Sequence, residues 1–253
     1  MENGYTIPVL DYGFVRYIDN FGTDLRIVES ARISYKSPSK GEEQDKKLLF
    51  YLYKNFHGSP FEQCNLTFNI KMPIFVMREF VRHRTFRLNE MSGRYVELPS
   101  EFYIPKEWRK QDLKNKQGSL AEESWNPEVF PKELYPEMYI DGAIGNSVKA
   151  TEYLEQFCQY SYTKYRNLLK IGVSREMARM VLPVNLYTEI YVNCDVRNLM
   201  NFFTLRTSEK AQWEIQQFAK AMYDIFKELY PWSAEAYEKF KFKLVDNDLP
   251  ISR

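Results

Sequence analysis

The sequence has few of the residues that build disulfide-rich, zinc-binding or strongly charged proteins. It contains three widely separated cysteines, no CxxC pair and only two histidines. This argues against a disulfide framework and against a zinc site, and we predict no metal site. Lys and Arg total 35 against 34 for Asp and Glu, so the formal net charge is +1. A dedicated nucleic-acid-binding protein more often carries a basic excess, so we expect no nucleic-acid partner.

Long apolar runs and the common phosphate-binding motifs are missing as well. No stretch approaches the ~20 apolar residues that span a bilayer, and the opening MENGYTIPVLDYG lacks a signal-peptide pattern. We therefore expect a soluble, cytoplasmic protein without a membrane partner. The patterns GxGxxG, GxxxxGK[ST] and GxSxG are absent, which argues against a Rossmann fingerprint, a P-loop and an α/β-hydrolase elbow.

The apolar residues that are present, 44% of the chain, have spacings that predict the secondary structure. They predict helices over about 48–56, 73–84, 151–170 and 208–229, and strands over about 64–72 and 185–194. Asp195 is placed to cap a further helix. Because helices and strands do not alternate regularly, we predict an α+β fold, with an antiparallel sheet flanked by helices in a single domain over 1–253. The pattern-poor segment at about 107–148 is interpreted as a surface insertion.

Arginine is concentrated in two polar segments of the sequence. Guanidinium groups and the free N–H groups of a helix N-terminus both bind anions. The charge pattern alone is compatible with exposed, ion-paired surfaces or with two walls of one anion pocket. Apolar sequence flanks both segments, which favours the pocket, and we interpret Arg87 as a solvated residue. The arginines of VRHRTFRLNEMSGRY are Arg82, Arg84, Arg87 and Arg94, and those of the second segment are Arg175, Arg179, Arg197 and Arg206.

The first of these segments carries a recognisable motif. Arg82-His83-Arg84, seven residues and then Ser92 form the pattern RHR-x7-S, which continues into Gly93. With FHGSPFEQ before it and EFYIP, SREMARMVLPVNLYTEIY and VRNLMNFFTLRTSEKAQWEIQQFA after it, the chain resembles the flavin-dependent thymidylate synthases. The resemblance covers nearly all of the chain except about 107–148 and the C-terminal tail. It implies an intertwined homotetramer with shared active sites.

The resemblance further implies FAD-dependent reductive methylation of deoxyuridylate (dUMP) to thymidylate (dTMP), with methylenetetrahydrofolate as carbon donor and NADPH as reductant. It implies a catalytic role for Arg206, which would favour the ionised uracil ring. Implied cofactor-binding residues are His57, Ser59, Arg82, His83, Arg84, Glu90, Asp195, Val196, Arg197 and Asn201. Implied substrate-binding residues are Glu79, Arg82, Glu90, Met91, Ser92, Gly93, Arg94, Arg179 and Arg206.

Two of these residues depart from the family pattern. Glu79 stands where Gln is usual, and Asp195 stands where Asn is common. An ionised carboxylate only accepts hydrogen bonds, whereas an amide also donates. A carboxylate near a phosphate or a flavin carbonyl is unfavourable unless a cation neutralises it, and Arg78 and Arg197 are the candidate cations.

Two other functions remain open from the sequence. The arginine cluster is compatible with a nucleic-acid-binding module, whose binding would depend steeply on salt concentration. The chain is also compatible with a relative of the synthases that lacks their activity or acts on another pyrimidine. Turnover with defined substrates separates this last possibility from thymidylate synthesis.

Overall fold

A computed structural model describes residues 1–114, 118–129 and 148–245 of the protein. The described residues form two compact units that interleave along the chain. Counting only the described residues in each range, unit 1 comprises Met1–Lys71, Arg78–Glu90 and Glu189–Arg253, and unit 2 comprises Met72–Met77 and Met91–Thr188. The assignment of 1–253 to a single domain stays a prediction, and part of the predicted insertion at 107–148 lies outside the described residues.

The elements are numbered in chain order. The strands are β1 (Thr6–Val9), β2 (Gly13–Phe21), β3 (Asn65–Pro73), β4 (Arg87–Glu90), β5 (Trp108–Gln111), β6 (Ser119–Trp125), β7 (Glu128–Val129), β8 (Val148–Lys149) and β9 (Tyr187–Asp195). The helices are α1 (Asp24–Arg32), α2 (Glu42–Lys54), α3 (Ile74–Phe80), α4 (Ala150–Lys170), α5 (Arg175–Ala178), α6 (Val196–Arg206), α7 (Trp213–Leu229) and α8 (Pro231–Val245).

Five strands form the main sheet, in the order β1-β2-β3-β9-β4. The pairs β1–β2, β2–β3 and β4–β9 are antiparallel. Alternate residues of β3 and β9, among them Phe68, Ile70 and Val192, are buried, because side chains along a strand point to opposite faces. Helix α7 packs on β1 and β2. The predicted α+β class, with an antiparallel sheet flanked by helices, is confirmed.

Helix α7 supplies much of the core of unit 1, with Phe218, Met222 and Ile225 fully buried at steps of four and three. Its predicted start at about 208 is wrong. The preceding residues form a turn in which Ala211 N–H donates to the Ser208 carbonyl over 2.9 Å, and the extended Gln212 then precedes the helix. The helix ends before Pro231, as the sequence predicts, and α8 begins at that proline.

The predicted helix over 73–84 begins within one residue of α3, but its predicted end is wrong. Pro73 closes β3, and α3 stops at Phe80 because the chain then forms turns through His83. The rings of Phe80 and Phe86 both pack on Phe202 of α6, with centroids 5.1 and 5.2 Å away, which stabilises this exit from the helix. Arg82 is therefore outside α3.

Unit 2 is built around α4, with buried side chains from Leu98, Cys158, Tyr165 and Leu186 in its core. The Tyr165 hydroxyl accepts from Leu98 N–H over 3.1 Å, which anchors the segment that follows the RHR-x7-S motif. Strands β5 and β6 pair in antiparallel fashion inside the predicted insertion, so the part of 107–148 that the structure describes contains regular secondary structure. Over the described residues, no helix combines the length and apolar character that crossing a membrane requires.

Candidate active site

Helix α6 carries an arginine whose guanidinium is fixed by two neighbours in unit 1. Arg206 donates from Nε to His83 Nε2 over 2.9 Å, and from Nη1 to Glu79 Oε2 over 2.6 Å. Its Nη2 also donates to the Glu79 backbone carbonyl over 3.3 Å. The Arg206 side chain is 17% exposed and that of Glu79 is 34% exposed. The sequence predicted all three residues for the site, and the structure brings them together.

His83 is held in an aromatic enclosure that controls its protonation. It is 9% exposed, and its ring packs edge-on against Phe202 with centroids 4.9 Å apart and against Phe86 at 5.5 Å. Burial, followed by the positive charge of Arg206, lowers the pKa of His83 to about 4. The imidazole is therefore neutral near pH 7. Because Nε2 accepts from Arg206, the single ring proton resides on Nδ1.

Arg197, at the start of α6, lies against the glycine of the FHGSPFEQ segment. A Cβ at Gly58 would meet the Arg197 guanidinium, so any side chain at this position would displace that guanidinium. Arg197 also pairs with Glu62. Both partners of this pair are exposed, which leaves the guanidinium accessible to an anionic ligand.

The carboxylate of Asp195 is the N-cap of α6. It accepts from Asn198 N–H over 2.9 Å and from Asn198 Nδ2 over 2.7 Å, so it caps α6, as predicted. Val196 N–H donates to the Cys64 carbonyl over 2.9 Å. An acidic cap is favourable here because the free N–H groups of a helix N-terminus carry partial positive charge. This accounts for an aspartate at position 195, and its predicted cofactor contact stays a prediction.

A cleft of about 460 Å³ opens beside Ser59 in unit 1. Arg26, Glu29, Ser34 and Gln63 line it together with Ser59. The sequence analysis singled out Ser59 but not the residues from the α1 region. Their signal was the spacing of Arg26 and Ser30, which lie four positions apart and share one face of α1, whereas Ser34 lies beyond the end of that helix.

The exposed His57 ring stacks on Tyr51, with centroids 5.8 Å apart and planes 23° apart. The intervening Phe56 adopts a φ of 60°, in the left-handed region, and its ring is exposed. A bulky residue in this conformation is strained, and such strain concentrates at binding sites. Three aromatic or imidazole rings are thereby presented on the surface of unit 1 next to Gly58.

The remaining predicted residues of unit 1 are exposed. Arg82, Arg84, Glu90 and Asn201 all have exposed side chains, and Arg87 donates to Asn193 Oδ1 over 3.0 Å. Exposed cations of this kind are available to a phosphate.

Unit 2 holds the other predicted substrate residues: 91–94 follow β4, and Arg179 follows α5. Arg94 N–H donates to Ser92 Oγ over 3.3 Å, and a Cβ at Gly93 would lie 2.9 Å from Leu98 Cδ1. Arg94 pairs with Glu176 over 3.3 Å, and Arg179 Nε donates to the Glu176 carbonyl over 3.4 Å. Arg94 and Arg179 therefore both contact Glu176, which lies in the second arginine segment.

Comparison with known proteins assigns the family. Residues 16–232 match the family model of Thy1, described as thymidylate synthase complementing protein. A flavin-dependent thymidylate synthase of Thermus thermophilus is 45% identical over 239 residues, which cover 94% of this chain and 80% of that protein. The chain belongs to the flavin-dependent thymidylate synthase family.

Other relatives extend this family match. The flavin-dependent thymidylate synthase of Thermosipho africanus is 43% identical over 235 residues, covering 93% of this chain and 95% of that protein. A crystal structure of the UMP/dUMP methylase PolB from Streptomyces cacaoi, bound with 5-Br dUMP, aligns with a TM-score of 0.73 and 28% identity. That alignment covers 93% of this chain and 98% of the methylase.

The residues of unit 1 fit the flavin nucleotide that the family name requires. The exposed guanidinium groups of Arg82, Arg84 and Arg197 suit a phosphate group, which accepts hydrogen bonds from planar, charged donors. The side-chain-free Gly58 allows Arg197 to lie against the backbone. Within the described ranges, no three His, Cys, Asp or Glu side chains converge in an arrangement that would hold a metal ion.

Proposed function

We propose that the protein converts dUMP to dTMP by FAD-dependent reductive methylation, with methylenetetrahydrofolate as the carbon donor and NADPH as the reductant. The observation that carries this proposal, beyond family membership, is the half-buried Arg206 guanidinium fixed between Glu79 and His83. When bound, FAD supplies the hydride chemistry, and the protein supplies orientation and charge. Arg82, His83, Arg84 and Arg197 would hold it, with His57, Ser59, Glu90, Asp195, Val196 and Asn201 as further predicted contacts.

Arg206 has the properties that methylation at carbon 5 of uracil requires. The ring gains negative charge as carbon 5 becomes nucleophilic, and a fixed cation with spare N–H groups stabilises that charge. Its partner His83 is neutral near pH 7, so it does not add a second positive charge that would repel the guanidinium. Arg206 is therefore assigned the role of stabilising the ionised pyrimidine.

The nucleotide phosphate is assigned to unit 2. Ser92 and Gly93 form a turn, and Arg94 and Arg179 bring two guanidinium groups to Glu176. A phosphate dianion competes well with one carboxylate for two arginines, because guanidinium groups pair bidentately with phosphate. Ser92 is thus assigned to phosphate binding and not to nucleophilic attack.

The cysteines support a route that does not use a thiolate nucleophile. All three cysteines of the chain are free and buried. Burial raises the pKa of Cys64 to about 11 and also raises the pKa of Cys158 and Cys194. The thiol form therefore predominates at neutral pH, and it is a poor nucleophile. Three unpaired thiols also fit a reducing, cytoplasmic location.

An intertwined homotetramer with shared active sites is part of the proposal. In unit 2, α4 packs on the segment 175–181, and both elements expose large apolar side chains. An exposed apolar surface of this kind is typical of a protein–protein interface. The exposed residues are Phe157, Tyr160, Met177, Met180 and Val181. Light scattering coupled to size-exclusion chromatography would detect the tetramer, and a monomeric mass would refute it.

The decisive experiment follows the hydrogen at carbon 5 of dUMP. Purified protein with FAD should show flavin absorbance that NADPH bleaches, and it should release tritium from [5-³H]dUMP when methylenetetrahydrofolate is present. Arg206→Ala should lower that release about 100- to 1000-fold, as loss of one transition-state donor does elsewhere. Failure of the wild-type protein to release tritium would refute the proposal.

A second substrate deserves a parallel assay because the methylase from Streptomyces cacaoi is named for both UMP and dUMP. We expect dUMP to be preferred, since the relatives with 43–45% identity are named thymidylate synthases. Tritium release from [5-³H]UMP at an equal or greater rate would assign the protein to pyrimidine methylation of a broader kind.

A further inference from the structure

The guanidinium of Arg206 is anchored from one side only. A guanidinium has five N–H bonds in a fixed plane. Three of them are directed at His83 Nε2, Glu79 Oε2 and the Glu79 carbonyl, at 2.9, 2.6 and 3.3 Å. Within the described part of the chain, this leaves one N–H on Nη1 and one on Nη2. These two bonds are the ones available to a ligand.

The Glu79 carboxylate already accepts a hydrogen bond from Arg206, and this contact bears on the role of Glu79. Its Oε2 accepts the shortest of the three hydrogen bonds, and among the residues that the structure describes it is the only full negative charge paired with Arg206. A carboxylate placed directly against an anionic nucleotide would repel it. The residue is better suited to act through Arg206 than to contact the substrate.

We propose that Glu79 is a positioning residue for pyrimidine activation: its carboxylate, together with the His83 imidazole, sets the Arg206 guanidinium so that two N–H bonds face the acceptor edge of the ring. This inference rests on the function proposed above. His83 contributes the second anchor because the Phe86 and Phe202 rings fix the plane of its imidazole. The position of the Glu79 acceptor atom, and not the negative charge as such, is the property that matters.

Two conservative variants separate the acceptor position from the charge. Glu79→Gln keeps an oxygen acceptor at the same reach and removes the charge. Glu79→Asp keeps the charge and withdraws the acceptor by one methylene, about 1.5 Å. If Glu79 is a positioning residue, the kcat for tritium release in Glu79→Gln should stay within about 3-fold of wild type. The kcat of Glu79→Asp should fall about 10- to 100-fold, as it does when a catalytic group is misplaced. The KM for dUMP should change little in either variant.

Controls tie the result to Arg206. Flavin reduction by NADPH and the thermal unfolding midpoint should match wild type in both variants, because neither depends on the activated pyrimidine. Glu43→Asp is the matched control: Glu43 pairs with Lys47 on the surface of α2, and its shortening should leave kcat unchanged.

Other outcomes would overturn the inference. If Glu79→Asp is as active as wild type, the acceptor position does not matter. If Glu79→Asp is more active than Glu79→Gln, the charge matters more than the acceptor position. If KM for dUMP rises in both variants while kcat is unchanged, Glu79 contacts the substrate directly. Wild-type protein that releases no tritium refutes the proposed function itself, which is distinguishable because the inference requires an active wild type.

Discussion

Gly58→Ala tests the flavin-binding role of Arg197 without removing a charged group. A Cβ at position 58 would overlap Cζ, Nε and Nη1 of Arg197. The guanidinium is the far end of a flexible side chain, so it would move and the backbone would stay. Its ion pair with Glu62 would be lost or rearranged as a result. The variant thus displaces one cation while keeping its charge in the protein.

The expected loss of FAD affinity follows from the interactions of Arg197 in the protein without FAD and with FAD bound. The Arg197 side chain is 55% exposed and that of Glu62 is 40% exposed, so their pairing contributes only about 0–1 kcal/mol to folding. A charge-assisted hydrogen bond to a phosphate is worth about 1.5–3 kcal/mol. Displacing Arg197 should therefore weaken FAD binding by about 10- to 150-fold and leave the free energy of unfolding nearly unchanged.

Quenching of flavin fluorescence on titration with the protein measures the Kd for FAD. Gly172→Ala is the matched control, because Gly172 has a φ of 90° and nothing within 4 Å of an added Cβ. It should lower the free energy of unfolding by about 1–2 kcal/mol through backbone strain and leave the Kd unchanged. Wild-type affinity for FAD in Gly58→Ala would refute a flavin contact by Arg197.

Other perturbations test the aromatic enclosure of His83. Phe202→Ala should lower the free energy of unfolding in urea by about 3–5 kcal/mol, since it leaves a cavity under His83. Tyr35→Ala, at a side chain 87% exposed, should change it by less than about 0.5 kcal/mol. The folded pKa of His83, about 4, lies below the ~6.5 of an unfolded histidine, so unfolding takes up a proton at intermediate pH. The free energy of unfolding should therefore fall by about 3 kcal/mol between pH 6.5 and 4. The His83→Asn variant should not show this loss. An equal loss in both proteins would contradict the assigned pKa.

The elements that the sequence predicted well have strong local patterns. Helices α4 and α7 are long and carry apolar residues at steps of three and four, which only a helix places on one side. Strand β9 is rich in β-branched and aromatic residues, and its last residue, Asp195, caps α6. These signals reside within a dozen residues, so no knowledge of tertiary contacts is needed to interpret them.

The wrong predictions and the omitted residues depend on partners far away in the sequence. Helix α3 ends early because Phe80 and Phe86 pack on Phe202, a contact with no local signal. The pairing of Arg206 with Glu79 joins residues 127 positions apart. The sequence placed both in the site through the family resemblance, but it suggested Arg78 as the cation that neutralises Glu79. The structure identifies that cation as Arg206.

The hydrogen bond of Arg206 to His83 therefore depends on the aromatic enclosure of His83. If His83 were protonated, two positive groups would lie 2.9 Å apart, and the imidazole would have no lone pair on Nε2 with which to accept from Arg206. Burial among Phe86 and Phe202 keeps the imidazole neutral and so preserves this acceptor. The neighbouring Arg82 and Arg84 are exposed, as charged side chains usually are. The RHR motif thus combines two solvent-facing cations with a buried neutral base, and this alternation follows from the turns at the end of α3.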